Sequence, residues 1–149
     1  MDRKEWALGG TAVLAIYLLN FGYTKAFGIP PEPWMVNAYA GKTPFQIAAL
    51  LVAVVAVLPV AEEMAFRYFL FGTVPFKSNR ACAIGVVAAT AAIFALVHAA
   101  QYRSPSTQIV MFSLGVAFGV ARIVSGGLAL PIAMHMGSAV VGGILNELR

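Results

Sequence analysis

The sequence predicts an all-α protein, a polytopic membrane bundle of about five transmembrane helices. Three observations predict it. Sixty per cent of the 149 residues are hydrophobic and only 11% are charged, against about 25% charged in a soluble domain. The mean hydropathy is +0.83. Five uncharged stretches, at 6–23, 44–61, 81–101, 104–121 and 123–146, reach the roughly 18 residues needed to cross a bilayer. The single cysteine, Cys82, excludes an internal disulfide and any cysteine-cluster metal site. The net charge of +4 is scattered between apolar runs, with no basic block interleaved with aromatics. Anionic lipid headgroups are therefore the expected partner, and nucleic acid is not.

The first stretch opens with Asp2-Arg3-Lys4-Glu5, which mixes both signs, and no small-x-small cleavage site follows it. It reads as a retained helix with Trp6 at the interface rather than a signal peptide. Gly28-Ile29-Pro30-Pro31-Glu32-Pro33-Trp34 reads as an interfacial loop that cannot be regular helix. This divides the chain into 1–42, a first transmembrane helix with its interfacial loop, and 43–149, the core.

The second stretch is unusual. Between Lys42 and Lys77 the only charges are Glu62, Glu63 and Arg67. A straight helix over that interval would be about 50 Å long, against a hydrocarbon core of about 30 Å. The helix must tilt, bend or lie partly along the interface. Pro59 offers a bend and Pro75 a terminus.

Further on, Ser104-Pro105-Ser106 and Ser125-Gly126-Gly127 are breaks. The alanines of 88–92 and the Gly115-x-x-x-Gly119 spacing suit close helix packing in lipid. Counting loop cations, Arg3, Lys4, Lys77, Arg80 and Arg122 fall on the amino-terminal side, and Lys25, Lys42, Arg103 and Arg149 on the other. The bias toward a cytoplasmic amino terminus is small.

Ionisable groups within spans are costly and so are functional candidates. Five qualify: Glu62, Glu63, Arg67, His98 and His135. Glu63 and Arg67 are spaced i,i+4 with the acid first, the favourable order for an ion pair within a helix. One arginine cannot neutralise two glutamates, and Glu62 points about 100° away. Desolvation raises the pKa of such a carboxylate, which makes it able to take a proton near neutral pH. Phe94 lies one turn before His98. Taken singly, each histidine reads more readily as packing than as function, and the aromatics Phe66, Tyr68, Phe69 and Phe71 as lipid-facing or packing surface. Taken together, a glutamate and two histidines from three helices suffice to hold and deprotonate a water. Zinc or another divalent metal on Glu62, His98 and His135 would do so, and so would a metal-free arrangement with Glu62 as base.

At these residues the chain resembles the CPBP intramembrane proteases, which include the Rce-type CAAX prenyl endopeptidases and the bacterial Abi proteins. Glu62-Glu63-Met64-Ala65-Phe66-Arg67 is similar to their EExxxR motif. Phe94-Ala95-Leu96-Val97-His98 is similar to FxxxH. His135, in an apolar helix, resembles the start of HxxxN. The resemblance covers roughly 43–145. It implies a helical membrane fold around a water-filled cavity and hydrolysis of a peptide bond. In that reading Glu62 activates the water, Glu63 pairs with Arg67, and His98 and His135 complete the site. The expected location is a membrane, in this reading the bacterial cytoplasmic membrane. The expected substrate is a membrane-associated peptide: bacteriocin-like or signal-type for so small a chain, prenylated for a eukaryotic source.

Two departures stand out. Ala139 occupies the position where the motif has Asn, whose amide would help to hold an oxyanion. Ser138 is adjacent but about 100° off that face. Fewer helices precede the EExxxR helix than is usual, and a second copy in a homo-oligomer would supply them. A catalytically impaired immunity or scaffold protein is the alternative that Ala139 favours. A proton-coupled transport subunit is a further one, since Glu and His in spans also form proton relays.

Overall fold

The computed structural model describes residues 2–148, so Arg149 of the cation count lies outside the described residues. All regular structure among them is helical. Five helices are long and apolar enough to cross a membrane: α1 (Arg3–Ala26), α3 (Pro44–Leu70), α4 (Arg80–His98), α5 (Pro105–Ser125) and α6 (Ala129–Glu147). The short α2 (Pro33–Val36) lies between α1 and α3. The loop expected over Gly28 to Trp34 thus ends in a helical turn, because Pro33 takes the first helical position, where its missing N–H costs nothing.

Local chemistry sets the helix starts. Asp2 and Glu5 form a reciprocal capping box on α1, and Thr43 and Gln46 form one on α3. The Asn79 side chain accepts from the Ala81 N–H at the start of α4. Gly126, at φ +67°, closes α5 in the left-handed region. That glycine corrects two boundaries. The fourth span continues through Arg122 to Ser125, and the fifth begins at Ala129 rather than at 123. Arg122 remains inside the last turn of α5 because its Nε donates to the Arg67 carbonyl at 3.2 Å.

The long helix α3 absorbs its excess length in two π-helical segments, Ala53–Val57 and Met64–Leu70. The first lies immediately before Pro59, where an α-helical backbone would clash with the proline ring. Its opening segment, Pro44–Val52, has no buried residue and makes no substantial contact except with its own continuation. Its far end is anchored by Phe71, which is fully buried. Glu62 and Glu63 therefore lie well inside the helix, eight and seven residues before Leu70.

The core sits where α4, α5 and α6 meet α1 and the second half of α3, around Phe66, Phe94, Leu114, Phe118 and Met134. The α4–α5 contact is the most extensive. A Cβ on Gly115 would lie 2.8 Å from Ala91 Cα, and one on Gly119 would lie 3.2 Å from Val87. The two backbones approach this closely only because both positions are glycine, the close packing that the small-residue spacing predicts. Leu8, Leu19, Ile84, Leu96 and Ile109 remain exposed, as lipid-facing positions should. Of the aromatic cluster, Phe66 and Phe71 are buried while Tyr68 and Phe69 face outward.

Candidate functional site

Arg67 is wholly buried, and its environment explains how lipid depth tolerates it. Its Nη1 donates to Glu63 Oε1 at 3.0 Å, and its Nη2 donates to the Gly115 carbonyl at 2.9 Å. The guanidinium also lies 5.2–5.5 Å from the ring centroids of Phe66, Phe94 and Phe118. Cation–π attraction of this kind strengthens when the ion is desolvated. Glu63 is equally buried, and the same Oε1 is 2.9 Å from His135 Nδ1. A carboxylate paired with arginine can only accept, so His135 carries its proton on Nδ1 and presents the Nε2 lone pair on the opposite side of the ring.

His98 is fixed in the same tautomer by a different acceptor. Its Nδ1 is 2.8 Å from the Phe94 carbonyl, which has no proton to give. Phe94 is buried and lies beneath both imidazoles, with ring centroids 4.4 Å from His98 and 5.5 Å from His135. Phe118 stacks on His135 at 4.9 Å.

Glu62 projects from α3 into the space these rings leave. Its Oε2 is 3.7 Å from His98 Nε2 and 3.7 Å from His135 Nε2. That exceeds hydrogen-bond length, and the oxygen is buried with no hydrogen-bond partner among the described residues. Glu62 remains 27% exposed at its side chain, through a cavity of about 460 Å³. The cavity extends along α6 from His135 to Glu147, about 18 Å at the helical rise. Leu50, Val54 and Leu58 of α3 form part of its apolar wall. All five ionisable residues singled out in the sequence therefore converge. Ala139 lines the same cavity and brings no donor to it. Ser138 lines it too, but its hydroxyl donates to the His135 carbonyl at 2.7 Å.

Three acceptors converge on one small space. Their chemistry would suit a water or a cation. Among the described residues, however, no group of three or more His, Cys, Asp or Glu side chains is arranged to hold a metal ion.

Several residues of this region escaped the sequence reading. Glu32 is only 3% exposed, although it stands in the proline-rich loop. Its two oxygens accept from the backbone N–H groups of Arg103 at 3.0 Å and Ser104 at 2.9 Å. It thereby fixes that loop to the start of α5, where a carboxylate is favoured. Trp34 meets Tyr102 edge-on at 6.1 Å, and both rings line the cavity. Tyr17 of α1 reaches across to Ser138, over Gly142, where a Cβ would lie 2.9 Å from its hydroxyl. An acid flanked by prolines in a chain with six acidic residues was the one available signal for Glu32. Tyr17, Phe118 and Tyr102 had none.

Comparison with known proteins agrees with this architecture. The pattern of the type II CAAX prenyl endopeptidases, Rce1-like, matches residues 44–141. A 24.3 kDa Escherichia coli protein described as uncharacterized is 31% identical over 138 residues, covering 92% of this chain and 61% of that one. The membrane-embedded CAAX protease MroQ of Staphylococcus aureus (strain USA300) is 33% identical over 153 residues, covering 95% of this chain and 58% of that one. The chain thus spans about three fifths of the length of these relatives. No solved structure matches it significantly. The chain belongs to the Rce1-like family of type II CAAX prenyl endopeptidases.

Proposed function

We propose that this member of the family is an intramembrane endopeptidase, and that Glu62 is the base that activates the attacking water. The observation that carries the reading is the Glu62 Oε2 atom, buried without a partner and 3.7 Å from the Nε2 atoms of both histidines. A water placed among these groups donates one proton to Glu62 and the other to an imidazole, which leaves an oxygen lone pair for a peptide carbonyl. Glu62 accepts the proton as the water oxygen bonds to carbon, then passes it to the departing nitrogen. Glu63 and Arg67 act through His135, holding its tautomer and its ring. Phe94 packs against both imidazoles, and Phe118 stacks on that of His135.

The substrate is a membrane-associated peptide segment that enters the cavity beside the apolar wall of α3. MroQ is named a CAAX protease. A bacteriocin-like or signal-type peptide suits this chain as well, in a bacterial cytoplasmic membrane. The testing experiment is cleavage of a peptide library by the purified protein in proteoliposomes, with Glu62→Gln as the control. Cleavage by wild type that Glu62→Gln abolishes supports the reading.

One observation favours a second reading. Ala139 lines the cavity where the family motif has an amide. A protein that kept the fold as an immunity or scaffold factor would need no oxyanion donor there. Folded wild-type protein that cleaves no library peptide supports that reading instead.

A further inference from the structure

Hydrolysis of a peptide bond places a full negative charge on the carbonyl oxygen, and a preorganised donor at that point is worth about 10²–10³ in rate. Position 139 supplies none. The Ser138 proton goes to the His135 carbonyl, and the Tyr17 hydroxyl is directed at Ser138. Gln101 and Asn20 line the cavity, but among the described residues no ring packing or hydrogen bond orients their side chains. Tyr102 differs from all of these. It lies in the turn after α4, with its N–H bonded to the His98 carbonyl at 2.9 Å and its own carbonyl accepting from Gln108 Nε2. Its ring stacks parallel to His98, with centroids 6.1 Å and planes 5° apart, and Trp34 meets it edge-on. Backbone and ring are thus both held, and the hydroxyl makes no hydrogen bond to any described residue. Burial, then Glu62, then Glu32 push the phenol up to about 12, so it keeps its proton wherever the enzyme works.

We propose that Tyr102 is a catalytic residue whose hydroxyl donates to the oxyanion, in place of the amide absent at 139. This rests on the endopeptidase reading. The water oxygen bonds to the carbonyl carbon while Glu62 takes the water proton. The C=O π pair moves onto oxygen, which accepts the Tyr102 O–H bond. The pair returns as the C–N bond breaks, and the Glu62 proton goes to nitrogen. The Tyr102 proton stays on Tyr102 throughout.

The test uses the full chain in proteoliposomes and a pool of internally quenched peptides, each with an apolar segment. Tyr102→Phe keeps the stack on His98 and removes only the donor. We expect kcat to fall about 10²-fold or more, with KM and thermal midpoint as in wild type. Adding Ala139→Asn to Tyr102→Phe is expected to recover at least tenfold, which a merely structural role for Tyr102 would not allow. A wild-type kcat for Tyr102→Phe, in a protein that Glu62→Gln inactivates, overturns the inference and leaves the endopeptidase reading standing. A rise in KM alone also overturns it, as does an equal loss in Gln101→Ala with none in Tyr102→Phe. Folded wild type that cleaves no peptide in the pool removes both the reading and the inference.

Discussion

His135 Nδ1 lies 2.9 Å from Glu63 Oε1, the same oxygen that receives Arg67 Nη1 at 3.0 Å. One carboxylate oxygen therefore serves as ion-pair partner and as the group that sets the histidine tautomer. Because Glu62 approaches the other nitrogen of the same ring, the adjacent glutamates address opposite edges of His135. Divergence along the helix gives each a separate duty.

Removing the arginine tests that arrangement. Arg67→Ala leaves Glu63 at zero exposure with His135 as its remaining partner. Breaking a buried pair from one side costs about 3–5 kcal/mol. We expect a clear drop in thermal midpoint in detergent and a lower folded yield, with activity lost as His135 is released. A wild-type melting curve for Arg67→Ala would show that the pair does not stabilise the fold.

Gly115 offers a packing test independent of the chemistry. Its Cβ would meet Ala91 Cα at 2.8 Å and Ala91 Cβ at 3.0 Å, and its carbonyl is the second partner of Arg67. Gly115→Ala must separate α4 from α5, an overpacking cost of about 1–3 kcal/mol. Gly10→Ala meets nothing within 4 Å and, in mid-helix, should be neutral or slightly stabilising. Thermal unfolding of the two variants side by side checks the contrast, and equal midpoints would contradict it.

Glu32 makes a third prediction. Its two charge-assisted bonds to the amides of Arg103 and Ser104 hold the proline-rich loop against the cavity. Glu32→Ala leaves both amides unsatisfied, and we expect faster proteolysis within 28–42 and a smaller drop in midpoint than Arg67→Ala. Limited proteolysis followed by mass spectrometry measures it. Unchanged cleavage kinetics would mean that the loop is held by Trp34 and the other aromatic contacts alone.

The bundle was legible because hydropathy counts every apolar residue, and five long runs cannot be hidden. The ionisable set was legible because charge within a span is rare enough to be conspicuous. Other features were not, for physical reasons. Treating charges as helix ends misplaced the boundary at Arg122, whose guanidinium is drawn inward to a carbonyl on α3. The π-helical segments of α3 leave no periodic trace in an unbroken apolar run. Glu32 and Tyr102 take their meaning from partners on distant elements, which no local pattern encodes.

The last prediction separates the base from its surroundings and from a metal. Glu62→Gln keeps the size of the side chain but replaces an accepting carboxylate oxygen that has no hydrogen-bond partner among the described residues. The Arg67–Glu63–His135 chain does not pass through it, so the fold should be unchanged or slightly stabilised. Glu63 Oε1 is committed to Arg67 and His135 and the residue is wholly buried, whereas Glu62 lines the cavity and is the carboxylate placed to take the proton of an attacking water. Cleavage should therefore vanish in Glu62→Gln while the melting curve and the tautomers of His98 and His135 persist. His98→Ala and His135→Ala should be equally inactive. If Glu62 acts as a metal-free base, wild-type turnover should survive a strong zinc chelator. A loss that added zinc restores would instead make Glu62, His98 and His135 ligands rather than base and water-orienting groups. Glu62→Gln cleaving at the wild-type rate would remove Glu62 from the chemistry altogether.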